Sequence, residues 1–221
     1  MAGVPEEVKF ATKPQLARVM LERASRAGVS LAWVCGDTVY GNDRCLREWL
    51  EEQFQSYVLS VACNERVWID DLQGLTQVAI DKVIAEQSVY SWQRLSCGQG
   101  SKGPREYDWN WIELVSSRPS GWGRWLLARR SLSDPTQLAY FTVFAPNRTS
   151  ISEAVRVAGA RWSIEMGFKI TKDELGLDHY EVRSWRAWYR HVTLVMLAHA
   201  MLSVIRSQAL VTAGKKGALT R

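Results

Sequence analysis

Two short apolar runs constrain this chain more than any other feature: LAWVC at Leu31–Cys35 and SYVLSVA at Ser56–Ala62. Both are nearly continuous rather than alternating, the pattern of strands buried on both faces in the centre of an α/β sheet. Between them, Asn42 to Gln53 has helical spacing. Asn42 or Asp43 is the expected cap, with Cys45, Leu46, Trp49 and Leu50 inside. Strand, helix and strand at this separation predict a βαβ unit. Upstream, Pro14 to Ala27 forms an amphipathic helix with a stripe of Leu16, Val19, Met20, Ala24 and Ala27, stopped by Gly28.

After about Gln87 the pattern changes. VYSWQRL, REYDWNWIELV, RWLLARR and LAYFTVF are separated by SCGQGSKGP, SSRPSGWG and SLSDPTQ, which are rich in turn residues. They predict a small antiparallel β element inserted into the α/β chain. Helix then returns. Ser150 or Ser152 caps ISEAVRVAGARWSIEMGFKITKDELGL, and after Gly176 a strongly apolar helix covers SWRAWYRHVTLVMLAHAMLSVIRSQAL. The expected division is a partial α/β core over 1–87, a β insertion over 88–146, helices completing the core over 147–209 and a flexible tail over 210–221.

Composition excludes several classes. Lys and Arg number 28 against 23 Asp and Glu, a net +5 that permits an acidic partner without requiring one. MAGVPEEVKF has no apolar signal region. The longest apolar run, Val192–Ile205, is interrupted by Thr193, His199 and Ser203 and is too short to cross a bilayer, so a buried helix and no membrane partner are expected. Cys35, Cys45, Cys63 and Cys97 show no CxxC pair, which argues against zinc or a disulfide framework and for reduced cytosolic thiols. His179, His191 and His199 lack metal-ligand spacing. The 11 tryptophans exceed what a core of this size needs, so some are expected to be flat surfaces for bases or sugars.

Two places carry chemistry. Asp37 follows LAWVC after a single Gly36, just past the carboxyl end of a central strand, where α/β sheets place ligands. A helix cap or turn aspartate is the alternative. On the later helix, Arg161, Glu165 and Lys172 fall at spacings of four and seven, on one face. Such a row is commonly a solvated ion-pair stripe. The bulk of Trp162, Ile164, Met166, Phe168 and Ile170 around Glu165 favours a sheltered cleft instead. A carboxylate flanked by two cations is suited to a divalent metal, with the cations on phosphates.

These residues resemble the DDE transposases of bacterial insertion sequences, in the branch with the signature Tyr-x2-Arg-x3-Glu-x6-Lys. Arg161, Glu165 and Lys172 match its spacing, and Ala158 stands at the tyrosine position. Gly36-Asp37-Thr38-Val39-Tyr40-Gly41 resembles the segment around the family's second aspartate. SLSDPTQLAYFTVFAP and GLDHYEVRSWRAWYRHVTLVMLAHA are also similar to stretches of these proteins. The resemblance implies an RNase H-like α/β fold with an inserted β domain and C-terminal helices. It implies strand cleavage and transfer by two-metal phosphoryl transfer, with Asp37 and Glu165 as catalytic ligands to Mg²⁺ or Mn²⁺. Arg161 and Lys172 would grip phosphates. Trp109, Trp111, Trp122 and Trp125 would stack against DNA. Implied partners are DNA, as element ends and target, and another transposase copy, in a cytoplasmic protein associated with the nucleoid when on DNA.

The family also needs a first aspartate upstream. Residues 1–36 contain none; their only acids are Glu6, Glu7 and Glu22. The chain is therefore expected to be the C-terminal part of a longer transposase and inactive alone. Two alternatives remain open: a non-catalytic DNA-binding fragment able to pair with full-length transposase, and a carbohydrate-active enzyme, which also uses paired carboxylates and exposed tryptophans.

Overall fold

The computed structural model describes residues 2–71, 74–100, 103–115 and 120–218, with the side chains of 71 and 210–218 excepted. Contacts divide it into two compact units, Ala11–Arg161 and the pair of segments Met1–Phe10 and Trp162–Arg221.

The larger unit begins with α1 (Lys13–Arg26), whose capping box joins Thr12 and Gln15. The βαβ unit follows: β1 (Val34–Gly36), a short helix α2 (Thr38–Gly41), α3 (Arg44–Glu52) and β2 (Tyr57–Val61). β1 and β2 are parallel, with Cys35 opposite Val58. Asp43 caps α3, as its position predicts, by accepting from Leu46 N–H at 2.7 Å. On α3, Leu46 and Leu50 are buried as expected, whereas Cys45 is exposed and Glu51 is buried.

A hairpin follows that the sequence reading passes over: β3 (Arg66–Asp71) and β4 (Gly74–Ala79), paired antiparallel with Trp68 opposite Gln77. Its signal is present, since Val67 and Ile69 alternate with Arg66, Trp68 and Asp70. α4 (Ile80–Ala85) and a 3₁₀ turn (Val89–Ser91) lead to β5 (Gln93–Gly100), β6 (Gly103–Leu114), β7 (Trp122–Arg130) and β8 (Leu138–Pro146). These last four are the antiparallel strands expected as an insertion. They do not form a sheet of their own. The order is β1-β2-β8-β7-β6-β5, with β8 hydrogen-bonded to β2 through pairs such as Val58 and Val143. The reason is burial. Tyr57–Leu59 and Tyr140–Ala145 are buried throughout, and pairing them satisfies both backbones where water is excluded.

α5 (Ile151–Ala160), capped by Ser150, packs on one face of this sheet against Val58, Trp109, Trp125, Leu127 and Val143. It reaches both edges. Glu153 accepts from the indole N–H of Trp33, just before β1, at 3.3 Å. Gly159 lies so close to β5 that a Cβ there would land on the Cys97 carbonyl. A ten-residue helix is about 15 Å long, and six flat strands span about 24 Å. The sheet therefore curls around α5. The opposite face packs Val61, Leu126 and Tyr140 under α4 and the β3–β4 hairpin.

The long helix expected from Ser150 onward is interrupted at Arg161. α6 (Trp162–Asp173) begins anew beyond it, in the smaller unit. Glycine is a weak helix former, and Gly159, fixed by its contact with β5, occupies the last turn of α5. In the smaller unit, α6 is followed by α7 (Trp185–Ala218). The loop between them is tied down by His191, whose Nε2 lies 3.0 Å from the Gly176 carbonyl.

The apolar run Val192–Ile205 behaves differently from expectation. The helix continues past both its ends, so Trp185–Ala209 is long and apolar enough to cross a membrane by length and composition alone. It is also mostly uncovered. Val195 is buried, whereas Leu194, Met196, Leu197 and Met201 are exposed. α7 runs into the expected tail segment as far as Ala218; 219–221 lie outside the described residues.

Candidate active site at the carboxyl end of strand β1

Asp37 is exposed, immediately beyond β1, and caps α2. Its Oδ1 accepts from Val39 N–H at 2.9 Å, and its carbonyl accepts from the N–H groups of Tyr40 and Gly41. The cap reading is thus realised, and it leaves the second carboxylate oxygen without a hydrogen bond among the described residues. The turn is pinned from below. Gly41 is pressed onto β2 so closely that a Cβ would meet the Ser60 carbonyl oxygen. Asn42 Oδ1 accepts from Ala62 N–H, just past β2, at 3.0 Å. Arg47 closes the assembly: Nη1 donates to the Gly41 carbonyl at 2.9 Å and Nη2 to Glu65 at 2.6 Å.

Arg161 is half-buried at the end of α5. Burial pushes the Cys35 thiol above its usual pKa, and the positive charge of Arg161 pulls it partly back. Cys35 lies on β1, two residues before Asp37.

Glu165 and Lys172 both lie on α6, two turns apart and exposed. The expected shelter around Glu165 is not what α6 provides, because Ile164 and Phe168 are exposed as well. Residues adjacent in sequence point about 100° apart on a helix, so bulk at one neighbour does not cover the next. Asp37 belongs to the larger unit and Glu165 to the smaller.

The four tryptophans expected to stack on DNA have packing partners inside the larger unit. Trp109 is 1% exposed and Trp125 5%, so neither offers an open ring face. Trp109 donates its indole N–H to the Leu95 carbonyl at 3.1 Å. Trp111 stacks on Trp125 at 5.0 Å, across the β6–β7 diagonal. Trp122 stacks on Phe144 at 4.8 Å. Trp111 and Trp122 stay half-buried.

Two features escaped the sequence reading. Glu51, on the buried face of α3, receives Arg124 in a fork, at 2.7 and 2.6 Å from Nη2, and the hydroxyl of Tyr57 at 2.7 Å. Trp68 and Arg66 stand exposed on one face of the β3–β4 hairpin. No group of three or more His, Cys, Asp or Glu side chains is placed to hold a metal among the described residues. A magnesium-type ion does not require one. It binds through one or two carboxylates, completed by waters and substrate phosphates. Asp37, with one oxygen fixed and one outward, fits such a donor.

Residues 1–83 match the family model of the DDE superfamily endonuclease. The match contains β1, Asp37, α3, β2 and the hairpin, and it supports a DDE-type transposase family. No curated protein matches the chain.

Proposed function

We propose that this chain carries the second aspartate and the glutamate of an RNase H-like DDE transposase of the bacterial insertion-sequence type, acting on DNA by phosphoryl transfer. The observation that carries the reading is the position of Asp37: inside the matched segment, past the carboxyl end of a parallel strand, on a turn clamped by Gly41, Asn42 and Arg47. Asp37 and Glu165 together hold a divalent ion, Mg²⁺ or Mn²⁺, which when bound supplies the Lewis acidity this class of reaction uses. Asp37 offers the oxygen its cap leaves over, and the cap fixes the carboxylate plane. Arg161 and Lys172 hold phosphates, Arg161 by fork geometry and Lys172 as a point charge. Trp111 and Trp122 are the two tryptophans of the original four with surface left for DNA. DNA ends, target DNA and a second transposase copy are the partners.

Residues 1–36 supply no aspartate, so the chain alone is proposed to bind DNA without cutting it. Fluorescence anisotropy on duplex DNA at two salt concentrations tests the DNA role. Affinity should fall steeply with salt, and Arg161→Ala and Lys172→Ala should each lessen the slope by about one counterion. Salt-independent binding, or none at low salt, contradicts a nucleic-acid role and favours the carbohydrate reading. Nicking of supercoiled plasmid with Mg²⁺ by this chain alone contradicts the inactivity.

A further inference from the structure

A cleft of about 730 Å³ opens in the larger unit between α3 and the β3–β4 hairpin, within the ~300–1,000 Å³ range of ligand-sized pockets. Its floor is the Glu51–Arg124 pair, and Arg44, Arg47, Arg66 and Trp68 stand on its walls. The charges on the α3 side and the floor are matched: Arg44 with Glu48, Arg47 with Glu65, Arg124 with Glu51. The hairpin wall is different. Arg66, Trp68 and Gln77 share one face, because Arg66 and Trp68 are two apart on a strand and Gln77 is directly opposite Trp68. Arg66 spends one nitrogen on the Gln77 carbonyl, at 2.7 Å, and has no carboxylate partner among the described residues. The Gln77 amide is likewise unbonded there. Trp68 is 46% exposed, and its ring has no aromatic or cationic partner among the described residues.

An open indole, an unmatched guanidinium and an unused amide on one face are the three elements that hold an unpaired nucleotide: stacking surface, phosphate contact and base-edge partner. We propose that this cleft binds single-stranded DNA, with a base on Trp68, its edge toward Gln77 and a phosphate on Arg66. Arg47 connects the cleft to the turn that carries Asp37, since the same guanidinium lines the cleft and holds the Gly41 carbonyl. An unpaired strand seated here is therefore led toward the carboxyl end of β1. The proposal rests on the DNA reading above and adds a strand state and a location to it.

The test is anisotropy with a labelled twelve-residue oligothymidylate and with a duplex of equal length, on the full chain. Trp68→Ala should weaken single-strand binding about tenfold, Trp68→Phe should retain most of it, and duplex binding should change less than twofold. Arg66→Ala should weaken the single strand and lower its salt dependence by about 0.7 of a counterion. Should Trp68→Ala misfold by circular dichroism, photocrosslinking of a 5-bromodeoxyuridine oligonucleotide to the wild-type chain decides, with the adduct expected on the tryptic peptide Val67–Lys82. The proposal is overturned if wild-type chain does not bind the oligothymidylate, if Trp68→Ala and Arg66→Ala bind it like wild type, or if the adduct maps elsewhere. Duplex binding surviving any of these outcomes leaves the wider DNA reading standing; its loss in the wild type removes both.

Discussion

Gly41→Ala is expected to destabilise the larger unit by about 2–3 kcal/mol, at the upper end for overpacking. The added methyl meets a backbone carbonyl, that of Ser60 in β2, rather than the end of a flexible side chain. A strand in the middle of a buried sheet cannot yield, so α2 must lift. That displaces the carbonyl Arg47 holds and rotates the Asp37 cap, so binding of divalent ions should weaken together with stability. Urea denaturation followed by tryptophan fluorescence measures the first effect. Gly167→Ala is the control, since a Cβ there has only an ordinary contact, 3.7 Å from His199 Nε2. On α6 it should be neutral or stabilising, because alanine is the better helix former.

Glu51→Ala should cost about 2–3 kcal/mol. Breaking a fully buried pair costs about 3–5 kcal/mol, and Arg124 retains 29% side-chain exposure, which softens the penalty. The loss comes from Arg124 and the Tyr57 hydroxyl, both left without their acceptor. Glu51→Gln keeps an acceptor and should lose about half as much. Replacing both partners, as Glu51→Leu with Arg124→Met, should recover much of the stability, and the cycle measures the coupling. The same cluster sets an alkaline limit. Burial first, and the Glu51 charge second, push the Tyr57 hydroxyl pKa above its ordinary value. A raised folded-state pKa stabilises the fold below the unfolded tyrosine value of ~10 and loses that contribution as pH rises beyond it. Tyr57→Phe should remove this part of the alkaline sensitivity.

Much of the fold was legible because its signals are local. SYVLSVA announces a buried strand, Asp43 and Ser150 announce helix starts, and turn residues separate β5 to β8; LAWVC, read as a central strand buried on both faces, is instead the half-buried three-residue strand β1 at the sheet edge, where only β2 pairs with it. The sheet to which those strands belong was not legible. Pairing of β2 with β8 joins residues about 80 apart, from Val61 with Tyr140 to Tyr57 with Phe144, and nothing local distinguishes it from a separate insertion. The break at Arg161 was hidden because helical periodicity runs through it, and the contact that fixes Gly159 comes from distant β5. For the site, Asp37 was singled out by its place after LAWVC, and the helix cap weighed against a ligand role is present in the structure. The tryptophans were harder. Trp109, Trp111 and Trp125 share the face of β6 and β7 that packs under α5, so the strand pattern alone does not tell the buried rings from the half-buried one. Trp68, outside any recognised strand, was passed over.

The claim that Asp37 and Glu165 serve one divalent ion is tested most directly by Mn²⁺ titration calorimetry on the chain and on Asp37→Ala, Glu165→Ala and the double variant. If both carboxylates hold the same ion, each single change weakens binding and the double change is scarcely weaker than either, because the second loss falls on a site already broken. Affinity that survives both substitutions, or losses that simply multiply as for two independent sites, contradicts the account.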